Sequence, residues 1–273
     1  MSNKLIDVEK VFEDKNPRLL RLMPGFIINY IKKILHQDEI NQFIATNSSA
    51  SAYEFSLNGL KHLNISVDVE GEENIPQQGG IVFVGNHPFG GLEALAQITA
   101  IQPIRPDVKF VVNDILLNIE PLKELFVGIN KHGSTPKETA LYMNKLFGSG
   151  DALFIYPAGL VSRRINGQIL DLEWKKTFVS RSKQHDIQIV PVFTGGAQLS
   201  NFFYNLANFR KKIGIKANLE MFYLADEMMK QRNSTFKIVF GEPFSSKTFD
   251  KSKNDWEWTA WVRNKVYNLA KNN

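Results

Sequence analysis

The sequence predicts an α/β fold, because patterns typical of buried strands alternate with patterns typical of helices along its 273 residues. Three short apolar runs, at residues 81–84, 151–156 and 187–193, have the composition of strands buried on both faces of a sheet. A turn containing glycine or proline ends each run. Since no internal repeat or interdomain linker interrupts this pattern, we expect one large domain preceded by a helical segment at residues 1–50.

The helical segment contains an amphipathic stretch at residues 25–35. Its apolar side chains, Phe26 and Tyr30 among them, form one stripe, and Lys32 and Lys33 lie opposite. A basic amphipathic helix of this kind can lie in a membrane interface, or it can pack against its own protein. Both interpretations stay open at this point.

The remaining elements continue the alternation. The patterns predict helices at residues 38–47, 52–63, 137–147, 175–184 and 255–271, and further strands at residues 65–69, 108–112 and 126–131. Pro191 indicates an edge or bulge position for the strand at 187–193, because proline cannot donate to a sheet ladder. Residues 162–164 are placed in a loop beyond the strand at 151–156.

Composition excludes several kinds of chemistry. The chain has no cysteine, which rules out thiol nucleophiles, disulfides and zinc–thiolate sites. No two of its five histidines have the spacing of a helical metal pair, so we expect no metal site. The net charge of +5 favours an acidic partner such as anionic lipid or an acidic carrier protein. We expect no nucleic-acid binding, since no dense basic run occurs.

The most informative stretch follows the strand at residues 81–84. Asn86 and His87 stand where that strand ends, and Gly90 and Gly91 form a turn before a helix that carries Glu93. Open α/β sheets place their sites at such carboxyl ends of strands. Histidine is the natural general base for a hydroxyl at neutral pH, and a carboxylate on one ring nitrogen fixes its tautomer. The alternatives are a helix-capping Asn86, a loop histidine and a helix-terminal acid.

This stretch resembles the first motif of the PlsC-type glycerolipid acyltransferases, which is Asn-His, four variable residues and Asp. Asn86 and His87 match the motif, whereas Glu93 lies one residue late. The residues NHPFGGLE are more similar to a bacterial branch, often labelled hemolysin-like, whose motif is NHP-x-GGL followed by an acid. That branch includes enzymes that acylate the 3-hydroxy group of N-acyl amino-acid lipids such as ornithine and glycine lipids.

Three further blocks carry the resemblance. Residues 128–131 are similar to the family's Gly-Ile-x-Arg, with Lys131 in the place of Arg. Residues 156–162 resemble Phe-Pro-Glu-Gly-Thr-Arg-Ser, and residues 190–192 resemble a fourth block in which Pro follows a strand residue. The resemblance implies a mixed, largely parallel central sheet flanked by helices, with the acyltransferase domain at residues 51–273.

The resemblance also implies a reaction and a set of site residues. His87 would deprotonate an acceptor hydroxyl, Glu93 would orient His87, and backbone N–H groups near Gly159 or Gly90–Gly91 would hold the oxyanion. The donor would be a thioester of acyl carrier protein or coenzyme A, with no cofactor and no metal. The implied substrate-binding residues are Asn86, Gly128, Lys131, Gly159, Ser162, Arg163 and Arg164.

Departures from the family pattern bear on the acceptor. Ala158 and Val161 stand where the family's third block has Glu and Arg, which favours an acceptor less charged than a phosphate monoester. Lys131, Arg163 and Arg164 could still bind one carboxylate, although Arg163 and Arg164 are also compatible with an exposed basic loop. We therefore expect a lyso-amino-acid lipid acceptor, with a lysophosphatidate acyltransferase and a non-catalytic lipid-binding scaffold as alternatives.

The expected location follows from the same resemblance. The N-terminus has no apolar signal core, and no run of about 18 apolar residues occurs that could span a bilayer. We expect a cytoplasmic protein, peripherally associated with the inner face of the cytoplasmic membrane. Its expected partners are acyl carrier protein, a lyso-lipid acceptor and the membrane surface.

Overall fold

The computed structural model describes residues 6–15, 17–128 and 136–271 of the chain. The helices within these ranges are α1 (Val8–Lys15), α2 (Pro17–Leu22), α3 (Gly25–Ile34), α4 (Gln37–Thr46), α5 (Ala52–His62), α6 (Gly91–Ile101), α7 (Pro136–Phe147), α8 (Thr177–His185), α9 (Asn201–Lys212), α10 (Leu224–Met229) and α11 (Asp255–Leu269). The strands are β1 (Ser66–Glu70), β2 (Ile81–Gly85), β3 (Lys109–Val112), β4 (Phe126–Gly128), β5 (Ala152–Ile155), β6 (Arg163–Ile165), β7 (Gln168–Leu170), β8 (Gln188–Gly195), β9 (Thr235–Phe240) and β10 (Phe244–Ser245).

The central sheet is mixed and largely parallel, as predicted. Its strand order is β1-β9-β8-β2-β5-β3-β4, and β10 pairs with β8 beside this path. The strands β8, β2, β5, β3 and β4 run parallel to one another, whereas β8 pairs antiparallel with both β9 and β10. Strands β6 and β7 form a separate antiparallel hairpin.

Strand β2 lies in the middle of the sheet and is buried along its whole length. Ile81 and Phe83 belong to the core on the side of α5 and α6, and Val82 and Val84 belong to the core on the side of α8 and α11. Successive side chains of a strand point to opposite faces, so a strand with helices on both faces must be apolar at every position. This requirement explains the unbroken apolar run.

Pro191 lies in an interior strand, which corrects the predicted edge position. Strand β8 has β2 on one side and β9 with β10 on the other. The Pro191 carbonyl accepts a hydrogen bond from Gly241 N at 2.8 Å, in the gap between the end of β9 and the start of β10. The N–H and C=O groups of one strand residue point to the same side of the strand. The nitrogen of Pro191, which has no hydrogen to donate, therefore faces the gap between β9 and β10.

Two predicted segments, the loop at 162–164 and the strand at 126–131, differ from what the structure describes. Residues 163–165 form β6 instead of a loop, and the strand predicted at 126–131 is described only as far as Gly128.

The N-terminal helices α1 to α4 confirm the predicted helical character of residues 1–50 where the structure describes them. Phe43 and Ile44 of α4 pack against the core on the α5–α6 side, and the domain boundary at residue 50 stays a prediction. None of the described helices is both long enough and apolar enough to cross a membrane.

Candidate active site

His87 and Glu93 form a hydrogen-bonded pair at the carboxyl end of β2. Nδ1 of His87 contacts Oε1 of Glu93, and Oε2 of Glu93 accepts a hydrogen bond from Phe89 N at 2.5 Å. The Glu93 side chain is fully buried in the first turn of α6, whereas the His87 side chain keeps 18% of its exposure. The pair therefore has the geometry of a base held by an acid, as the sequence predicted.

The Gly90–Gly91 turn brings the acid within reach of the ring. Gly90 has φ +81°, a left-handed conformation that only glycine adopts without strain, and a Cβ there would lie 3.1 Å from Cδ2 of Leu224. The turn closes tightly between His87 and α6. This local geometry accommodates the one-residue offset of Glu93 from the family motif.

Burial and mutual attraction act in opposite directions on this pair. Burial lowers the pKa of His87, but the charge and hydrogen bond of Glu93 outweigh it and hold the pKa above the usual value of 6.5. Burial raises the pKa of Glu93 above its usual value, and the contact with His87 offsets only part of that rise. The pair therefore retains a proton more strongly than either isolated group would. Among the described residues, the hydrogen bond of the His87 ring is made through Nδ1, which leaves Nε2 for a substrate hydroxyl.

A buried network behind the ring fixes its plane. The His87 ring stacks on Tyr156, with 4.3 Å between ring centroids and 24° between planes. The Tyr156 hydroxyl donates to Oε1 of Gln97, and Nε2 of Gln97 donates to Oγ1 of Thr194 at 2.9 Å. Thr194 in turn exchanges backbone hydrogen bonds with the side chain of Asn86, at 2.7 and 2.8 Å.

Asn86 is therefore a positioning residue, which corrects its predicted contact with substrate. Its side-chain oxygen and nitrogen both bond to the Thr194 backbone, and the residue is buried. The amide joins the end of β2 to the end of β8. These two hydrogen bonds hold the end of β2, which His87 follows in the chain.

The backbone of His87 is held by the segment that follows β5. His87 N donates to Oδ1 of Asp171 at 3.1 Å, and the His87 carbonyl accepts from Ser162 N at 2.7 Å. The Ser162 hydroxyl donates to the same Asp171 oxygen at 2.6 Å, and Trp174 Nε1 donates to the other at 2.8 Å. Ser162 is buried and holds the His87 backbone, which corrects its predicted contact with a substrate.

Arg163 is not available to an acceptor, which corrects its predicted role. Only 5% of the residue is exposed, and Nη2 donates to Oε1 of Glu220 at 2.7 Å. Its guanidinium also lies over the ring of Phe203, 5.1 Å from the centroid. The acid and the ring together hold the cation inside the protein, between the β6–β7 hairpin and α9.

The other predicted binding residues lie in three places. Arg164 is half-buried, donates to Asn201 Oδ1 at 2.7 Å and lies over the Tyr204 ring. Gly128 is the buried last residue of β4, and Lys131 lies outside the described residues. Gly159, with φ +68°, follows Tyr156 closely and donates its N–H to the Tyr156 carbonyl at 3.0 Å. That N–H is consequently engaged, which weakens its candidacy as an oxyanion donor.

Lys175 lies beside Gly159, in the loop that follows β5, although nothing in the sequence indicated it. Its backbone N–H donates to the Pro157 carbonyl at 3.0 Å, and its Nζ lies 3.7 Å from where a Cβ on Gly159 would be. The residue is exposed, and no ion pair to it is found within the described part of the chain. The structure therefore places an accessible cation over the loop that follows β5.

The chain is similar in sequence to a known protein family and to named acyltransferases. The chain matches the family model described as Acyltransferase over residues 10–273. It is 44% identical over 266 residues to a lyso-glycine lipid O-acyltransferase of Bacteroides thetaiotaomicron, with 97% of each chain covered. It is 40% identical over 266 residues to a protein of the same name from Phocaeicola vulgatus, with 97% of this chain and 95% of the other covered.

A solved structure shares the fold. The crystal structure of the 1-acyl-sn-glycerophosphate (LPA) acyltransferase PlsC from Thermotoga maritima matches with a TM-score of 0.53 over 90% of this chain and 92% of the other. The two sequences are 15% identical, so the likeness shows a common fold.

Proposed function

The chain belongs to the acyltransferase family, and we propose that it esterifies the hydroxyl group of a lyso-amino-acid lipid, with lyso-glycine lipid as the first acceptor to test. The observation that carries the proposal is the near full-length similarity to two lyso-glycine lipid O-acyltransferases, at 44% and 40% identity. The His87–Glu93 pair supplies the base that such a reaction needs.

The proposed reaction is a single transfer between two bound substrates. Nε2 of His87 removes the proton of the acceptor hydroxyl while the oxygen attacks the thioester carbonyl. The tetrahedral intermediate then expels the thiolate, which receives the proton from His87, and an ester remains on the acceptor. Glu93 stabilises the imidazolium that exists between these two proton transfers.

The oxyanion is assigned to the first turn of α6. The first amide groups of a helix have no intrahelical acceptor and carry a partial positive charge. The turn begins at Gly91, two residues before Glu93, and therefore lies beside the base. Donor N–H groups aimed at the developing charge are the usual means of stabilising such an intermediate.

The donor in this proposal is an acyl thioester of acyl carrier protein or coenzyme A. The transfer requires neither a cofactor nor a metal ion, because the base and the oxyanion donors belong to the protein. We place the reaction on the cytoplasmic side of the inner membrane, where a water-soluble donor meets an amphiphilic acceptor.

Lys175 is the cation that we assign to the acceptor carboxylate. Arg163 is held by Glu220, whereas Lys175 is exposed beside Gly159, three residues after the Tyr156 whose ring stacks on His87. An amino-acid lipid presents one carboxylate, which a single ammonium group can bind as a point charge. A phosphate monoester carries nearly two charges and would need more cations.

Substitution of Lys175 tests this assignment. We expect Lys175→Met to raise the acceptor KM while leaving kcat little changed, because the contact exists equally in the ground and transition states. Lys176→Met is the matched control, since that neighbouring ammonium lies over the Trp256 ring instead. Equal effects of the two substitutions would contradict the assignment.

A direct competition tests the acceptor itself. N-(3-hydroxyacyl)glycine, its ornithine counterpart and lysophosphatidate are offered together with one acyl thioester, and the acylated products are separated by mass spectrometry. We expect the amino-acid lipids to be acylated first, and His87→Ala protein serves as the blank. Preferential acylation of lysophosphatidate would show that the proposed acceptor is wrong.

A further inference from the structure

One surface of the protein exposes large apolar side chains close together. They come from α9, from the turn that follows it and from residues 219–223, and between 38% and 61% of each is accessible. We call this surface the aromatic face; its members are Phe202, Phe209, Ile213, Ile215 and Phe222. Exposed apolar clusters on a protein of this kind mark sites of interaction.

Helix α9 is apolar on two sides. Phe203, Tyr204 and Ala207 are buried against the protein, whereas Phe202 and Phe209 lie two helical turns apart on the opposite, exposed side. A surface helix normally directs polar residues away from the core. The second apolar stripe of α9 is therefore available to something outside this chain.

Direct contacts join the aromatic face to the N-terminal helices. The Phe202 ring meets the Tyr223 ring edge-on, with 4.9 Å between centroids. The Tyr223 hydroxyl is hydrogen-bonded to the Tyr30 hydroxyl of α3 at 3.0 Å, and Phe26 on the same side of α3 is exposed. The exposed rings thus continue from α9 onto α3.

The charge around this face is positive. Between residues 201 and 223 the chain has Arg210, Lys211, Lys212 and Lys216 but only one acid, Glu220. Glu220 is buried and ion-paired with Arg210 and Arg163, so the exposed lysines are not neutralised by it. Exposed rings bordered by lysines have the chemistry of a surface that enters the headgroup region of an anionic bilayer.

The segment that carries the face continues into α10, which packs against the turn that precedes α6. Leu224 lies 3.1 Å from the position of a Cβ on Gly90, and Cε of Met228 lies 3.4 Å from that on Gly91. Both glycines belong to the turn between His87 and Glu93.

We propose that the aromatic face binds the surface of an anionic lipid bilayer, with the phenyl rings of α9 inserted among the headgroups. The choice of a bilayer rests on the proposed function, since acceptor and product are both lipids. A second copy of the chain suits the face less well, because a symmetric contact would bring the lysines of both copies together. Bilayer binding requires no turnover, so it and the proposed function can fail separately.

The absence of cysteine from the chain allows a site-specific test. Single-cysteine proteins Phe209→Cys and Phe222→Cys are labelled with a polarity-sensitive fluorophore and mixed with phosphatidylglycerol vesicles. We expect a blue-shifted, brighter emission at both positions, because the probe enters an apolar layer. Leu141→Cys is the matched control, since Leu141 is equally exposed but lies on α7. No shift at 209 and 222, or the same shift at 141, would overturn the proposal.

Vesicle sedimentation provides the second measurement. We expect the triple variant Phe202→Ser, Phe209→Ser, Phe222→Ser to lose at least about tenfold in vesicle affinity, since each ring that leaves an apolar phase costs more than that factor. Turnover of a monomeric short-chain acceptor should stay at the wild-type rate, as it should in the control Leu141→Ser. Unchanged vesicle affinity would overturn the proposal, as would a wild-type dimer that the triple variant dissociates.

A third comparison separates this proposal from the catalytic one. His87→Ala protein should bind phosphatidylglycerol vesicles as the wild type does, and it should bind phosphatidylcholine vesicles much more weakly. Equal affinity for the two lipids would remove the electrostatic part of the proposal. Loss of vesicle binding in His87→Ala protein would show that binding depends on the site and not on the aromatic face.

Discussion

His87 is held both through its ring and through its backbone. Glu93 contacts Nδ1, Tyr156 covers one face of the ring, and Asp171 and Ser162 hold the backbone N–H and C=O. Such fixation matters because a general base works only when its nitrogen lies within hydrogen-bond reach of the proton that it removes.

Removal of the base is the first test at the scale of single residues. We expect His87→Ala to lower kcat by about two to four decades, the usual contribution of a general base. The variant should fold, since its backbone hydrogen bonds to Asp171 and Ser162 do not involve the ring. Thiol release from the acyl thioester measures the rate, and circular dichroism checks the fold. A folded variant with near wild-type turnover would rule out His87 as the base.

The pH profile tests the role of Glu93. The base must be unprotonated, so kcat/KM rises with pH through the His87 pKa, which Glu93 holds above its usual value. Glu93→Gln removes the negative charge and leaves burial, which lowers the His87 pKa. We expect the rising limb of the profile to move to lower pH, with a reduced plateau.

Two further results bear on that prediction. Asp171 also raises the His87 pKa, so Asp171→Asn should move the limb in the same direction but by less. A rising limb that stays in place in Glu93→Gln protein, with full activity, would mean that another acid orients the ring.

The sequence predicted the contact between His87 and Glu93 but not the residues that support it. His87 and Glu93 are six residues apart, so a local motif could predict their contact. Asp171 lies 84 residues from His87, and Thr194 lies 108 residues from Asn86. Folding alone brings these residues together, and no spacing in the chain indicates it.

At the scale of elements, the β6–β7 hairpin is the clearest surprise. The sequence predicted a loop at residues 162–164 because they lie beyond the carboxyl end of the strand at 151–156. A turn signal was nevertheless present, since Asn166-Gly167 separates two three-residue strands and both residues have positive φ. The hairpin carries Arg163 inward against α9, where Glu220 meets it.

The buried ion pair leads to a prediction about stability. We expect Arg163→Met to destabilise the fold by about 1.5–3 kcal/mol, because the buried Glu220 carboxylate keeps Arg210 but loses one charged hydrogen-bond partner. The acceptor KM of the protein that remains folded should not change. Thermal unfolding and initial rates at low temperature measure the two quantities.

Arg164→Met is the matched control on the same strand. Arg164 is only half-buried and bonds to an exposed Asn201, so its loss should cost less than about 1 kcal/mol. A raised acceptor KM in Arg163→Met protein at an unchanged melting temperature would restore the acceptor-binding role that the sequence predicted.

At the scale of the whole molecule, the structure confirms the predicted fold class. The class was predictable because a strand buried on both faces of a sheet is apolar at every position. Strands β2, β5 and β8 coincide closely with the apolar runs. Their parallel order brings the ends of all three strands to one edge, where Asn86, Tyr156 and Thr194 meet. The family resemblance implied a mixed, largely parallel sheet, and the strand order was not predicted.

The composition of the whole chain predicts the kinetic mechanism. No cysteine is present, and Ser162, whose N–H donates to the His87 carbonyl, donates its hydroxyl to Asp171. We expect sequential kinetics with intersecting double-reciprocal lines, because acyl transfer passes directly between the two substrates. Mass spectrometry of protein incubated with donor alone should show no acyl adduct. Parallel lines together with an adduct would indicate a covalent acyl-enzyme.

Apart from Glu93, the residues that hold His87 in place come much later in the chain. The geometry around His87 can therefore form only late in protein synthesis. A ribosome delivers the chain from its N-terminus, and domains fold as their parts emerge. When the first 150 residues have been made, His87 already has Glu93, but Tyr156, Asp171 and Thr194 do not yet exist. The nascent protein carries the motif without its geometry, so we expect it to leave the acyl thioesters of the cell intact until β8 has entered the sheet.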